Sequence, residues 1–169
     1  MSGGEFHVIG NVCITEHGTG RTWRASNAVT SGGAAMIRDW LLALPAGVAP
    51  RPPTYFSFAS GVVADGGRFL TRIDSEHFRT AVCQRDISGS AVALHAYLEP
   101  TDANGVAASG TGILPGTTLQ SVALWGGEAT DEIASGILFA VANLDPPIHK
   151  TPTKSYSADW IITPSGKLT

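Results

Sequence analysis

Histidine, cysteine and carboxylate side chains are the groups of this 169-residue chain that could bind a metal ion. The five histidines are scattered, and none forms the closely spaced pair that brings two imidazoles onto one ion. His95 alone invites closer study, because it lies in a predicted strand and could meet His77 or Cys83 across a hairpin. A packed histidine needs only one hydrogen bond, so we favour that interpretation and expect neither a metal nor a cofactor.

Nucleophilic catalysis and phosphate binding find equally little support in the residue patterns. No serine stands in the Gly-x-Ser-x-Gly turn that lifts a nucleophile above a sheet. Gly18-Thr19-Gly20 precedes a predicted strand, whereas a dinucleotide-binding loop follows a strand and opens a helix. The carboxylates Asp131-Glu132 and Asp74/Glu76 lie in predicted loops, where hydration is the default. We therefore expect a protein that is not an enzyme and has no small-molecule substrate.

Composition and charge argue against nucleic acid and membranes as partners. The net charge is −3 and the 11 basic residues are spread singly, so no basic stripe predicts binding to nucleic acid. No apolar run reaches the roughly 20 residues that cross a bilayer, and Met1 to Glu5 lacks a signal-peptide pattern. Cys13 and Cys83 lie in predicted strands, which favours two buried thiols in a cytoplasm over a disulfide.

Alternating apolar residues predict a chain built mainly of strands. In the last third, Tyr156, Ala158, Trp160 and Ile162 share one side of an extended segment. The same pattern and the intervening turn residues predict about eight or nine strands at intervals of roughly ten residues. The segments are Phe6 to Thr15, Arg21 to Ala25, Thr54 to Ser60, Arg68 to Asp74, Phe78 to Ile87, Ser90 to Leu98, Leu119 to Trp125, Ile137 to Leu144 and Lys154 to Thr163.

One helix interrupts the strands near residues 31–44. Ala34, Ile37, Trp40 and Leu41 recur at helical spacing after a capping Thr30 or Ser31, and the next proline ends the pattern. Strand spacing and a single helix predict a mainly β fold, a two-sheet antiparallel β-sandwich of jelly-roll type. We expect one domain over residues 1–169, with short flexible arms at Met1 to Glu5 and from Pro164 onward.

Two regions are candidates for contact with a partner. Trp125 precedes Gly126-Gly127 at the end of a predicted strand, where an indole can face outward. The loop from Pro100 to Gly116 contains Asp102, Asn104 and Gly105, a turn sequence that we expect to be exposed. These four residues are our predicted interface. An alternative function uses Trp125, His95 and the Asp102 to Gly112 loop to bind carbohydrate.

Several short motifs occur in a recognisable order along the chain. They are Asn27, Val29, Thr30, Gly32 and Gly33; Ala59, Ser60 and Gly61; Arg79; Gln120, Ser121, Ala123, Leu124, Trp125 and Gly126; Gly136, Leu138, Phe139 and Ala140; and Lys150, Thr151 and Trp160. In this order the motifs resemble a family of small β-sandwich virion proteins from the structural gene regions of tailed bacteriophages.

The resemblance implies a structural protein of the virion, associated with the tail or a fibre or decorating the capsid. Virion parts of this size work by repetition, so we expect copies of the chain to form a symmetric oligomer, a trimer, and to bind other virion proteins. The expected localisation is the virion, assembled in the cytoplasm of the bacterial host. Pairing of exposed strand edges, or a strand donated by an arm, would join the copies.

Overall fold

The computed structural model describes residues 6–43, 52–105, 115–133 and 135–166. These residues form nine β-strands, one α-helix and a short 3-10 turn. The elements are β1 (Phe6–Glu16), β2 (Thr22–Val29), α1 (Ser31–Ala43), β3 (Tyr55–Ala59), the 3-10 turn (Ala64–Gly67), β4 (Glu76–Ala81), β5 (Gln84–Ser88), β6 (Ala91–Leu98), β7 (Thr117–Gly126), β8 (Ile137–Lys150) and β9 (Tyr156–Gly166).

All nine strands belong to one curled antiparallel sheet that forms a half-barrel, in the order β4-β3-β7-β8-β2-β1-β9-β6-β5. The two outermost strands, β4 and β5, are consecutive in the chain and are joined by Val82 and Cys83. The Val82 N–H donates to the Thr54 carbonyl at 2.8 Å, and the Cys83 N–H donates to the His95 carbonyl at 2.8 Å. This short link therefore connects the two ends of the sheet.

The prediction of a mainly β chain with one helix near residues 31–44 is confirmed. The division into two separate sheets is not, because β2 pairs with β1 on one side and with β8 on the other. The β2–β8 ladder is short, with Ala28 opposite Val141 and Val29 opposite Ala140. A continuous but weakly paired seam thus runs through the middle of the sheet.

The main core lies inside the curl and is built from alternate residues of the strands. Val12 and Ile14 of β1 and Leu94 of β6 point inward, as the period of two requires. Phe56 of β3 and Trp160 of β9 meet across the interior with their ring centroids 5.8 Å apart. Trp160 is 0 % exposed, so the predicted inward face of the last strand is confirmed.

Helix α1 is fixed to β8 through its first turn. The Thr30 hydroxyl accepts a hydrogen bond from the Gly33 N–H at 3.0 Å, as expected of a capping residue, and donates to the Leu138 carbonyl. A Cβ on Gly33 would lie 2.1 Å from the Phe139 carbonyl oxygen, so only glycine allows this approach. With 13 residues, α1 is too short to cross a bilayer, and no other described helix is long and apolar enough.

A second apolar cluster covers the outer face of β3, β7 and β8. It contains buried residues of these strands together with Val63 and Ile73 from the segment that follows β3. Strand β7 is consequently buried at nearly every position from Leu119 to Gly126 and does not show alternate burial. Two covered faces explain why this part of the sequence is almost continuously apolar.

Four local predictions are wrong. Arg68 to Asp74 forms turns after the 3-10 turn, because this segment covers the sheet instead of joining it. The strand predicted over Phe78 to Ile87 breaks at Val82 and Cys83, where the chain passes from one sheet edge to the other. Pro164 to Gly166 continue β9 and pair with β1 instead of forming a loose arm, whereas residues 1–5 and 167–169 of the two predicted arms lie outside the described residues. Both cysteines are free thiols, but Cys13 is half-buried and Cys83 is exposed, so two buried thiols are not observed.

Burial of the Tyr156 side chain makes the stability of the fold depend on pH. Its side chain is buried, and its hydroxyl has no hydrogen-bond partner among the described residues. Burial, with a smaller contribution from the Glu16 charge, raises the pKa of Tyr156 to about 12. The folded chain therefore binds more protons than the unfolded chain between the ordinary tyrosine pKa and 12, so stability falls as pH rises through this window.

We predict that this group lowers the free energy of unfolding by about 2 kcal/mol at pH 12 relative to neutral pH. Urea unfolding of the wild type and of Tyr156→Phe from pH 7 to 12 measures the effect. The two proteins should have similar stability at pH 7, and Tyr156→Phe should be the more stable at pH 12. Parallel pH profiles would contradict the burial argument.

Candidate interaction surface

The structure places Trp125, the first predicted interface residue, inside the outer apolar cluster. Its indole is 0 % exposed, and its N–H donates to the Ser57 hydroxyl at 2.7 Å. The expectation that this side chain faces outward at a strand end is therefore wrong. The cause is the outer apolar cluster, in which the Arg79 guanidinium lies over the ring and Ala129 of the segment after β7 packs against the cluster.

A buried cation holds that segment in place. The Arg79 guanidinium lies 4.0 Å from the centre of the Trp125 ring and forms an ion pair with Glu76, and both charged side chains are almost fully buried. The same guanidinium donates to the Ser135 carbonyl at 2.8 Å and to the Thr130 carbonyl at 3.2 Å. Arg79 thus links β4, the indole of β7 and the loop before β8.

The other three predicted interface residues lie in a turn that is attached to the end of β8. The Lys150 ammonium is buried and donates to the Pro100 carbonyl and to the Asn104 side-chain oxygen, both at 2.9 Å. Burial lowers the pKa of Lys150, and the charge of Asp102 acts in the opposite direction.

Within this turn, the Asp102 carboxylate accepts a hydrogen bond from the Glu99 N–H at 2.8 Å. Asn104 is buried, Asp102 is half-buried and Gly105 is exposed. Contact with a partner remains a prediction for all four residues, but only Asp102 and Gly105 reach the surface. The rest of the predicted carbohydrate-binding loop, residues 106–112, lies outside the described part of the chain.

We define the bare half of the sheet as the outer face of β5, β6, β9, β1 and β2. It offers a second candidate surface for contact with a partner. The register places one polar or small residue of each strand side by side in a row across this face. The row consists of Gln84, His95, Asp159, Cys13 and Arg24. A shallow cleft of about 530 Å³ lies along its β9, β1 and β2 portion.

His95 stands between two carboxylates in this row. Its Nδ1 atom is 2.7 Å from an Asp159 oxygen, and its Nε2 atom is 3.0 Å from an Asp86 oxygen in a contact that is out of line for a hydrogen bond. Because the two ring nitrogens face different partners, the imidazole lies as a bridge between edge strand β5 and β9. No three His, Cys, Asp or Glu side chains of the described residues are arranged to hold a metal ion.

Strand β5 is the exposed edge of the bare half. All five of its residues are exposed, and Ile87 is 81 % exposed. The strand pairs with β6 on one side through the Gln84–Ser88 ladder. An edge strand that carries an exposed branched apolar residue is a template for pairing with another strand.

The motifs that carry the family resemblance meet in pairs in this fold. The Thr30 hydroxyl of the first motif donates to the carbonyl of Leu138, which belongs to the motif of Gly136, Leu138, Phe139 and Ala140. The Ser121 hydroxyl donates to the Gly61 carbonyl at 2.7 Å, and Arg79 stacks on Trp125. The motifs therefore hold the helix and loops against the sheet. Each of these pairs has a structural role.

Comparison with known proteins adds no relative: no family model, no curated protein and no solved structure matches the chain.

The Arg79 site yields a prediction about stability. Arg79→Met leaves the Glu76 carboxylate buried without its partner, so the free energy of unfolding should fall by about 3 to 5 kcal/mol. Adding Glu76→Gln to this variant should restore part of the loss, because the unpaired charge is removed. Chemical denaturation measures all the variants.

The matched control is Arg38→Met, because Arg38 forms an exposed ion pair with Asp39 at 2.7 Å. Its loss should remain below about 1 kcal/mol. Equal losses for Arg79→Met and Arg38→Met would refute the role assigned to the buried pair.

Proposed function

We propose that this chain is a non-enzymatic structural component of a tailed-bacteriophage virion. Copies of the chain associate into a symmetric oligomer, for which we propose a trimer. The oligomer attaches to the tail, the baseplate or a fibre, or to the capsid surface as decoration. In this proposal the chain reaches the virion during assembly in the bacterial cytoplasm, and its partners are other copies and neighbouring virion proteins.

The observation that carries the proposal is the exposed edge strand β5. Every residue of β5 is exposed, and Ile87 presents an apolar side chain to water beside backbone groups that pair with no further strand of the described residues. Charge usually protects such an edge in chains that act alone. Strand β5 carries Arg85 and Asp86, which are opposite in sign, so pairing with another copy can match these charges instead of opposing like charges. Pairing with another copy would satisfy the backbone groups and bury Ile87 in one step.

The paired motifs support the same function. Their residues hold α1 and the covering loops on the sheet, as the Thr30–Leu138 and Arg79–Trp125 contacts illustrate. Motifs with purely structural roles suit a protein whose task is to keep its shape within a particle. We further propose that the two halves of the curled sheet act as the layers of a sandwich, β4-β3-β7-β8 against β2-β1-β9-β6-β5.

Carbohydrate binding remains the alternative because the bare half carries a row of hydrogen-bonding side chains. His95, Asp159 and Arg24 lie beside the shallow cleft on this face. Trp125 cannot serve as the stacking platform, since its ring is buried. Glycan-array screening tests this alternative, and binding that His95→Ala or Asp159→Ala abolishes would favour it over the virion role.

We predict that the purified chain is an oligomer by native mass spectrometry and is found in purified phage particles. Ile87→Lys should weaken self-association by about tenfold or more, because a charge on an edge strand opposes pairing. Val62→Lys is the matched control, since Val62 is 66 % exposed but lies in a loop. A chain that is strictly monomeric and absent from particles would end the proposal.

A further inference from the structure

An open groove of about 890 Å³ runs along one side of helix α1. Its walls are formed by α1, by the end of β2 and by the segment after the 3-10 turn, including Phe69. Apolar side chains such as Val29 and Ile37 line the groove, and two arginines, Arg38 and Arg68, stand among them. The groove therefore combines an apolar lining with positive charge.

Phe69 and Arg68 have exposed side chains in this groove that could contact a partner. Phe69 is 83 % exposed, more than any other large apolar side chain of the described residues. Arg68 is exposed and forms no ion pair with another described residue, whereas Arg38 is paired with its neighbour Asp39. An exposed aromatic ring beside an arginine that pairs with no described carboxylate is a combination that protein interfaces favour.

The loop between β7 and β8 has the complementary chemistry. Asp131 and Glu132 are exposed and form no ion pair with another described residue, and Ile133 next to them is 57 % exposed. Hydrogen bonds hold the loop in shape: the Thr130 N–H donates to the Ser135 hydroxyl at 2.9 Å, and the Ser135 N–H donates to the Glu132 carbonyl at 3.2 Å. Two negative charges and one apolar side chain thus project from a braced turn.

We propose that the Asp131–Ile133 loop of one copy docks in the α1 groove of a second copy. The carboxylates of Asp131 and Glu132 face Arg68, and Ile133 packs beside Phe69. The proposal rests on the self-association proposed above and names one of its contacts. Because the loop and the groove are different surfaces of the chain, the contact is head-to-tail, which is the kind of contact that closes a ring of three.

Charge complementarity selects a second copy as the occupant. The groove offers cations in an apolar setting, and the loop offers anions beside an apolar residue. Opposite charges fix the orientation of such a contact. A misaligned copy would bring like charges together, and these repel each other. Burial of Phe69 against Ile133 would add the apolar contribution that exposed ion pairs lack.

A charge swap tests the contact, with the self-association constant measured by analytical ultracentrifugation on the full chain. Arg68→Glu alone and Glu132→Lys alone should each weaken association by about tenfold, because each places like charges together. The double variant Arg68→Glu/Glu132→Lys should return to within about threefold of the wild type. Phe69→Ser, which leaves the charges intact, should also weaken association.

Arg72→Glu is the matched control, since Arg72 is an exposed arginine of the same segment that does not line the groove. It should leave association unchanged, and circular dichroism checks that every variant folds. If the wild type associates but the swap recovers nothing, or if Arg72→Glu weakens association equally, this contact is wrong while the proposed function stands. A wild type that stays monomeric at all concentrations overturns both.

Discussion

Strands β3, β7 and β8 carry apolar side chains on both faces, so each face requires a cover. Phe56 and Phe58 of β3 face the inside of the curl, while Tyr55 and Ala59 of the same strand pack in the outer cluster. Curling of the sheet brings β9 and its Trp160 over the inner face. Loops cover the outer face, and the Arg79–Trp125 contact holds them there. The rest of the architecture follows from this two-sided burial.

The outer face of the bare half of the sheet does not require a cover. Its strands alternate between buried and more accessible positions, as Val12, the half-buried Cys13 and Ile14 show, so one face can remain in water. The chain thus divides its surface into a half closed by its own loops and a half that ends at the exposed strand β5. This asymmetry suits the building-block role proposed above, in which the closed half keeps its shape while the open edge and the braced loop contact other copies.

Much of this fold could be predicted from the sequence, because alternation and capping are local signals. The Trp160 strand and the Thr30-capped helix lie where the patterns place them. The errors have non-local causes. Phe78 to Ile87 shows one unbroken pattern, and only the closure of the sheet requires a break at Val82 and Cys83. A continuously apolar strand such as β7 does not reveal what covers its second face.

The candidate surfaces were harder to predict than the fold. The glycines after Trp125 predict an exposed strand end, but its ring is buried in the outer cluster beneath Arg79. Nothing in the local sequence marks Lys150 as a buried ammonium, since two of its three hydrogen-bond partners lie 46 and 50 residues away along the chain. The row through His95 and Asp159 depends on strand order, which joins β6 to β9 across a long stretch of sequence. Sequence patterns identify faces, whereas contacts between distant strands decide which faces remain open.

Native-state hydrogen exchange on the isolated chain tests the central claim most directly, because it measures the opening free energy of each strand. If two-sided burial holds the molecule together, amides of β7 and of β8 from Leu138 to Ala142 should exchange only through global unfolding. Amides of β5 should exchange far faster, through local opening of the free edge. Exchange in β7 as fast as in β5 would contradict the account.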